Sequence, residues 1–304
     1  MIRPLHAALL ALLISIPANA ADAPFDLADL DEATLRDEPV MFSVTDADSE
    51  VILFGTFHLL LPDTQWQSQA LTDAIARADE AWFELPKDAQ NDPDLQRITM
   101  ELGAADAPLS SLLDDKTRAK LAHEAEKLGM SVGMLDQLQP WLAAITLPIM
   151  QMVGAGFDPA AGAEAVLEPR VEKLERRAFE TAEQQLRILA GMDQQTQIEM
   201  LEWTLDELDG GVVAMTRMAE SWAHGRVDML EDDVVLEAKR LIPDMYDAMF
   251  TRRNAAWADR LDQELQGAGV DFVAVGAGHL LGPDSVPVML ADKGYDVRVL
   301  TTRD

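Results

Sequence analysis

Two short motifs near opposite ends of the chain each place a histidine directly after an apolar run. The first is VILFGTFHLLLPD, residues 51–63, and the second is FVAVGAGHLLGPD, residues 272–284. In both, a glycine, two residues and a histidine lead into Leu-Leu, one residue and Pro-Asp, so His58 and His279 hold equivalent places. A neutral imidazole can take a proton from water or ligate a divalent metal. The repetition predicts that the two histidines serve one site.

Two glutamates occupy comparable positions at the ends of short predicted strands. Glu84 lies in AWFEL, residues 81–85, and Glu180 ends RRAFE, residues 176–180. Burying Glu84 between apolar neighbours is costly unless its carboxylate has a partner. Two imidazoles and a carboxylate form a catalytic ligand set for a divalent metal and leave one position open for water. For each residue, the alternative is an ordinary packed and hydrogen-bonded side chain.

The elements that carry these residues are predicted from the hydrophobic pattern. Residues 39–56 indicate a hairpin, residues 67–78 have helical spacing, and residues 81–85 form a short buried strand. Near the other end, VDFVAV indicates a strand, residues 285–293 a helix and YDVRVL a closing strand. Each motif therefore lies inside a β-α-β unit.

The stretch between these units has a different pattern. From about residue 92 to 266, long helical patterns such as DDKTRAKLAHEAEKLGM alternate with Gly and Pro punctuation, and RRAFE suggests one more short strand. We expect an α/β (α+β) fold with a split, mixed central sheet over about 38–90 and 268–304. The helical middle is then a large insertion into a single domain, residues 21–304.

Parallel strands joined by crossover helices end at the same edge of the sheet, where sites in open α/β sheets form. His58, Glu84, Glu180 and His279 each lie at or just beyond the end of a predicted strand. We therefore expect the four side chains to converge. In this interpretation His58, His279 and Glu84 ligate a divalent metal, and Glu180 is the general base.

The chain's first residues and its charge restrict the cellular setting. Arg3, the apolar run AALLALLISI and the small residues ANA are typical of a secretory signal peptide over residues 1–20. We expect a periplasmic or secreted protein, with no membrane insertion after cleavage. The formal charge of −30 argues against nucleic acid as a partner, and the lack of cysteine excludes disulfides and thiol nucleophiles.

Several segments together resemble the TraB/GumN family, which is related to the Tiki metalloproteases. They are LFGTFHLL, WFEL, FDPAAGAEAVLEPRVEKLERRAFETAEQQL, RRNAAWADRL and FVAVGAGHLLGPDSVPVMLADKGYDV. The resemblance covers nearly all of the chain after residue 20. It implies an α/β core with a helical insertion, in a superfamily of metal-dependent hydrolases where Tiki proteins cleave peptides with Mn or Co.

The resemblance also implies particular site residues. These are the GxxH histidines His58 and His279, the strand glutamate Glu84, the pair Glu180 and Thr181, and the pair Arg253 and Asn254. Two departures are Phe179, where Leu is more usual, and GAEA, where Asp often follows the glycine. The second departure leaves the role of Glu164 open.

Some residues have two interpretations. Arg253, in a helical pattern that continues through Trp257, either pairs with a core carboxylate or presents a fork of donors to a substrate carboxylate or carbonyl. His123 lies in a charged helical pattern and is expected at the surface. For His224, the only feature that supports a place near a site is that it ends a helical pattern.

Three functions remain open from the sequence. The first is hydrolysis of a peptide or amide bond, or of a small-molecule substrate, with Mn, Co or Zn activating water. The second is hydrolysis by a histidine and a glutamate without a metal. The third is a non-catalytic periplasmic module that binds a peptide or glycan and is linked to polysaccharide export.

Overall fold

The computed structural model describes residues 37–87, 89, 93–208 and 210–300. The predicted signal peptide, residues 1–20, lies outside the described residues. One six-stranded sheet forms the centre of the molecule, with strand order β4-β3-β5-β2-β1-β6. The strands are β1 (Met41–Thr45), β2 (Ser49–Thr56), β3 (Glu80–Phe83), β4 (Glu175–Ala178), β5 (Gly269–Gly276) and β6 (Asp296–Leu300).

The sheet is mixed because one strand runs against the others. β1 is antiparallel to both of its neighbours, β2 and β6, whereas β2, β5, β3 and β4 pair in parallel. The β1–β2 hairpin turns at Asp46, whose carboxylate accepts hydrogen bonds from the backbone of Asp48 and Ser49. The predicted α/β class, with strands from both ends of the chain in one mixed sheet, is confirmed.

The two central strands come from opposite ends of the chain. β2 and β5 pair along their whole length, and the residues at their middles, such as Leu53 and Phe272, are fully buried. A parallel strand covered on both faces requires a nearly continuous apolar run, which ILF and FVAV supply. Neither end of the chain can complete this core without the other.

Helices cover the sheet, and most belong to the insertion. They are α1 (Gln69–Arg77), α2 (Pro93–Gly103), α3 (Leu109–Leu112), α4 (Asp115–Lys127), α5 (Val132–Leu135), α6 (Pro140–Gly154), α7 (Ala163–Leu167), α8 (Ala182–Ala190), α9 (Gln194–Glu207), α10 (Gly211–Ala223), α11 (Val227–Leu230), α12 (Glu237–Leu241), α13 (Pro243–Tyr246), α14 (Arg252–Leu265) and α15 (Val286–Asp292). Within the described part of the chain, no helix is long and apolar enough to cross a membrane.

The insertion is fastened to the sheet by aromatic side chains. Trp222 of α10 donates from Nε1 to the carbonyl of Gly55 at 2.7 Å, and its ring lies against those of Phe54, Phe57 and Trp66. Because Gly55 belongs to the first GxxH motif, this contact connects the helical insertion directly to the strand end that carries His58.

The two GxxH motifs are similar, but they are offset by one residue in the pairing of β2 with β5. Gly55 pairs with Val275, and Gly276 pairs with Thr56, so the second motif lies one residue further along its strand. A Cβ on Gly55 would lie 3.1 Å from Cα of Ala277, so the first glycine allows the second motif to pack closely. After β5 the chain enters a 3₁₀ turn, Ala277–Leu280, which contains the second histidine.

Candidate active site

The carboxyl ends of four parallel strands meet at one edge of the sheet. Beyond them, by one to three residues, lie the four side chains predicted to converge: His58 after β2, Glu84 after β3, Glu180 after β4 and His279 after β5. Three of them, Glu84, Glu180 and His279, form one hydrogen-bonded network in which Arg253 of α14 is the central member. His58 is not bonded to Arg253, but its Nε2 approaches Gly276 beside Glu84 and His279.

His279 is buried and held in one tautomer. Its Nδ1 lies 2.6 Å from Oδ1 of Asn254, whose amide nitrogen donates to the carbonyl of Asp284 at 2.7 Å. Because the Asp284 contact fixes which end of the amide is oxygen, Nδ1 of His279 carries the proton. Burial and the Arg253 guanidinium lower the pKa of His279 to about 3. The ring is therefore neutral at physiological pH, and its Nε2 is an acceptor.

Arg253 is buried, and all five of its N–H groups have acceptors. Nε donates to Glu180 and Nη2 to both Glu84 and Glu180, at 2.8 to 3.1 Å. Nη1 donates to the carbonyl of Met249 at 3.1 Å and to Nε2 of His279 at 3.0 Å. Arg253 is thus paired with carboxylates of the core, and these contacts leave no N–H for a substrate.

Glu84 is a buried and ionised carboxylate. Oε1 accepts the N–H of Gly276 at 2.8 Å, while Oε2 accepts from Arg253 at 2.8 Å and from the side-chain amide of Gln185 at 3.0 Å. Burial acts to raise the pKa of Glu84, but the guanidinium of Arg253, together with His279, His58 and the N–H of Gly276, outweighs it and lowers the pKa to about 2. The partner that this buried charge needs is Arg253.

His58 has a carboxylate partner of its own. Its Nδ1 lies 2.6 Å from Oε1 of Glu164 in α7, and the hydroxyl of Thr56 donates to the same oxygen. Burial opposes a charge on His58, but Glu164 and then Glu84 raise its pKa above the ordinary value. Among the described residues, Nε2 of His58 has no hydrogen-bond partner. That nitrogen is free to act on a substrate or on water.

The segment that carries Glu164 is laid against the loop that carries His58. The N–H of Ala163 donates to the carbonyl of Phe57, and the N–H of Asp158 donates to the carbonyl of Leu60, both at 2.9 Å. A Cβ on Gly162 would lie 2.1 Å from the carbonyl oxygen of His58, so only glycine fits there. The GAEA motif therefore positions Glu164, whose role the sequence left open.

Three of these side chains, Glu84, His58 and His279, approach one another beside Gly276, at a point that we call the shared point. A Cβ added to Gly276 would lie 3.1 Å from Oε1 of Glu84, 3.7 Å from Nε2 of His58 and 3.7 Å from Cδ2 of His279. Beside this point is a cavity of about 170 Å³ whose lining includes His58, Glu84 and Glu164. The cavity is large enough for a few waters or for one small reacting group.

Comparison with known protein families identifies the group to which this arrangement belongs. The model of the TraB/PrgY/gumN family matches residues 40–299. The chain belongs to the TraB/PrgY/gumN family. The resemblance seen in the sequence is thereby confirmed. No curated protein and no solved structure gives a significant match.

In this TraB/PrgY/gumN chain, the two members of the Glu-Thr pair have different tasks. Thr181 is the N-cap of α8: its side chain accepts the N–H of Gln184, and the side chain of Gln184 accepts the N–H of Thr181. This capping box orients the first turn of α8, which delivers Gln185 to Glu84. Gln185 was not predicted from the sequence, although the TAEQ capping signature before it was available.

Glu180, the predicted base, is enclosed by donors. Both of its oxygens accept from Arg253, and Oε1 also accepts from Nε1 of Trp257 at 3.0 Å. Phe179 lies between Trp257 and Trp82, with ring centroids 5.0 and 5.1 Å away. In this TraB/PrgY/gumN site, Glu180 does not line the cavity beside His58 but lines a separate cleft together with Arg253.

The remaining histidines lie elsewhere in the described chain. His123 is exposed on α4, and His224 is the C-cap of α10. Among the described residues, neither is hydrogen-bonded to Arg253, the central member of the network, and neither lines the cavity beside His58. His6 belongs to the predicted signal peptide, outside the described residues.

The three predicted metal ligands are His58, His279 and Glu84. Two imidazoles and a carboxylate are suitable in kind. Within the described ranges, however, no group of three or more His, Cys, Asp or Glu side chains is arranged to hold a metal ion. The physical reason is Arg253, whose Nη1 lies 3.0 Å from Nε2 of His279 and whose Nη2 lies 2.8 Å from Glu84. As placed, the residues do not fit a three-ligand metal centre, and metal ligation by His58, His279 and Glu84 stays a prediction.

Proposed function

We propose that this TraB/PrgY/gumN protein hydrolyses peptide or amide bonds and that His58 is the general base. The observation that carries the proposal is the His58–Glu164 pair at 2.6 Å, in a histidine that lines the cavity and whose opposite ring nitrogen is left unpaired among the described residues. A carboxylate bound at Nδ1 fixes the tautomer that leaves Nε2 basic, and it stabilises the imidazolium that forms when Nε2 takes a proton.

The reaction follows from these positions. A water in the cavity gives one proton to Nε2 of His58, and its oxygen forms a bond to the carbonyl carbon of the substrate. The same proton then passes from His58 to the leaving nitrogen as the carbon–nitrogen bond breaks. The charge of Glu84, which already raises the pKa of His58, favours the protonated intermediate.

The other predicted site residues hold the reacting groups in place and do not take part in proton transfer. Arg253 joins Glu84, Glu180 and His279, so it helps to keep Glu84 ionised and holds the neutral imidazole of His279 in place. Asn254 fixes the tautomer of His279. In this account Arg253 and Asn254 are positioning residues, and Glu180 anchors Arg253 and is not the base.

Metal-dependent hydrolysis is the second candidate, and the orientation of the two histidines favours it. Both rings are held through Nδ1 by an oxygen acceptor, Glu164 for His58 and Asn254 for His279. This is the outer-shell arrangement common to histidines that ligate metals through Nε2. Binding Mn, Co or Zn by His58, Glu84 and His279 requires Arg253 to leave Nε2 of His279.

We further propose that the enzyme acts in the periplasm or outside the cell, on the basis of residues 1–20. Mass spectrometry of the protein purified from a periplasmic extract tests this. A mature protein that begins at Ala21 supports export, and an intact Met1 in a cytoplasmic fraction contradicts it.

The test of the proposed activity uses the mature protein and a mixed peptide library. Cleavage is followed by mass spectrometry for the parent, for His58→Gln and for the exposed control His123→Gln. Cleavage by the parent and the control, with loss in His58→Gln, supports the proposal. No cleavage by the parent, with or without added Mn, Co or Zn, contradicts it and favours a binding module.

A further inference from the structure

A cleft of about 1060 Å³ lies on the Arg253 side of the site and carries an unusual charge. Its lining includes five arginines, Arg177, Arg187, Arg252, Arg253 and Arg260, which together define the arginine cleft. The lining contains three carboxylates. Across the whole chain, acidic residues outnumber Lys and Arg by 54 to 24, so this cleft reverses the balance of the protein.

Four of the five arginines can exchange their present partners. The guanidinium of Arg253 is used by the buried network, but Arg177, Arg187, Arg252 and Arg260 have side chains that are 42% to 71% exposed. The carboxylates that pair with these four arginines lie outside the cleft lining. They are Glu80, Glu175, Glu183, Asp247 and Glu264. Exposed ion pairs of this kind contribute little free energy, so a ligand with fixed anionic groups can compete for the arginines.

The carboxylates inside the cleft do not cancel this charge. Glu180 is bound by Arg253 and Trp257, and Asp193 is the N-cap of α9, where it accepts the N–H groups of Gln195 and Thr196. Within the cleft lining, Asp244 is the carboxylate that these contacts do not engage. The other carboxylates near the four exposed arginines are their partners outside the lining, which a bound anion would replace. At physiological ionic strength charges are screened over about 8 Å, so these arginines act on a ligand in the cleft more strongly than the acidic remainder of the surface.

The spacing of the arginines selects an extended ligand. Arg252 and Arg260 are eight residues apart on α14, which corresponds to about 12 Å along a helix. One phosphate or carboxylate cannot reach both, whereas three to four residues of an extended chain span roughly that distance. The rings of Trp82, Phe179 and Trp257 contact one another in a row along the cleft lining, with Arg260 over Trp82.

We propose that the arginine cleft binds an acidic peptide segment, with carboxylates about three residues apart paired to Arg252 and Arg260. The need for several anionic groups follows from the cleft itself. The choice of a peptide over another polyanion rests on the proposed function. Glu180 and Trp257 form the wall between the cleft and the site, so the bound segment lies next to the network around Arg253.

The experiment measures binding without cleavage. The probe is a fluorescein-labelled peptide with two glutamates three positions apart, titrated by fluorescence anisotropy with the mature His58→Gln protein. We expect saturable binding that weakens as NaCl is raised, and at least about tenfold weaker binding when Arg252→Glu and Arg260→Glu are added. The matched control is Arg97→Glu on α2, whose exposed guanidinium also pairs with acidic neighbours on its own helix. It should leave the Kd within about twofold.

Three results overturn the proposal. They are equal binding of the peptide with glutamines in place of glutamates, equal weakening by Arg97→Glu, and binding of an oligogalacturonate but not of the peptide. Binding to the His58→Gln protein separates this proposal from the proposed function. If the peptide binds as expected while the parent protein cleaves nothing, the binding proposal is supported and the proposed hydrolase activity is contradicted.

Discussion

Oε1 of Glu164 lies 2.6 Å from Nδ1 of His58, and this contact joins a helix of the insertion to the end of the central strand β2. Glu164 raises the pKa of His58 against the opposing effect of burial. A base must be neutral to accept a proton, so the rate falls as the pH drops below the pKa of His58.

Glu164→Gln should lower kcat/KM about a hundredfold, because the imidazolium loses its carboxylate partner. The same change should move the acid limb of the pH profile to lower pH, since one cause of the raised pKa is gone. Rate measurements from pH 4 to 9 on both proteins check this. An acid limb that stays in place or moves upward contradicts the role of Glu164.

Arg253→Lys should destabilise the fold by about 3 kcal/mol or more, since one ammonium cannot reach all the acceptors that five N–H groups now satisfy. The adjacent Arg252→Lys, at a side chain 71% exposed, should change the free energy of unfolding by less than about 0.5 kcal/mol. Urea denaturation measures both. Equal effects would show that Arg253 does not hold the network together.

Gly276→Ala should reduce activity more than stability. The new methyl group would crowd Oε1 of Glu84 at 3.1 Å and occupy the point that His58 and His279 share, while the backbone φ of −51° suits alanine. The control is Gly154→Ala, where an added Cβ meets nothing within 4 Å. Thermal melts and hydrolysis rates distinguish the two. A Gly276→Ala protein with parental rates would mean that the shared point is not where the reaction occurs.

Asp271 lies at the other end of β5, beside Glu80 of β3, and burial followed by Glu80 raises its pKa to about 6. A folded-state pKa above the unfolded value of 3.8 means that the native state gains stability as the pH falls from 7 toward 4. Asp271→Asn should therefore raise the Tm above pH 6, by an amount that shrinks as the pH falls through 6. A lower Tm for the variant at pH 7.5 would contradict this sign.

The convergence of His58, Glu84 and His279 could be predicted because it depends only on strand direction. Parallel strands end at one edge whatever lies around them, and the apolar runs identified the strands. Even so, the one-residue offset between the GxxH units could not be seen, since it depends on how Gly55 packs against Ala277.

The partners of these residues could not be predicted in the same way. Glu164 and Gln185 come from short helices of the insertion, and their approach depends on tertiary docking that no local pattern encodes. Glu180 was predicted as the base from its strand position alone. That role stays a prediction, and the sequence did not show that Arg253 engages both oxygens of Glu180.

The most direct test of the central claim, that His58 paired with Glu164 activates water, is hydrolysis by metal-free protein. The mature protein, prepared without a metal-affinity tag and assayed by elemental analysis, is incubated with the peptide library in the presence of a chelator. We expect unchanged cleavage by the parent and a loss of at least about a hundredfold in His58→Gln. Cleavage that disappears with the chelator and returns with stoichiometric Mn, Co or Zn would contradict the account and establish the metal-dependent alternative.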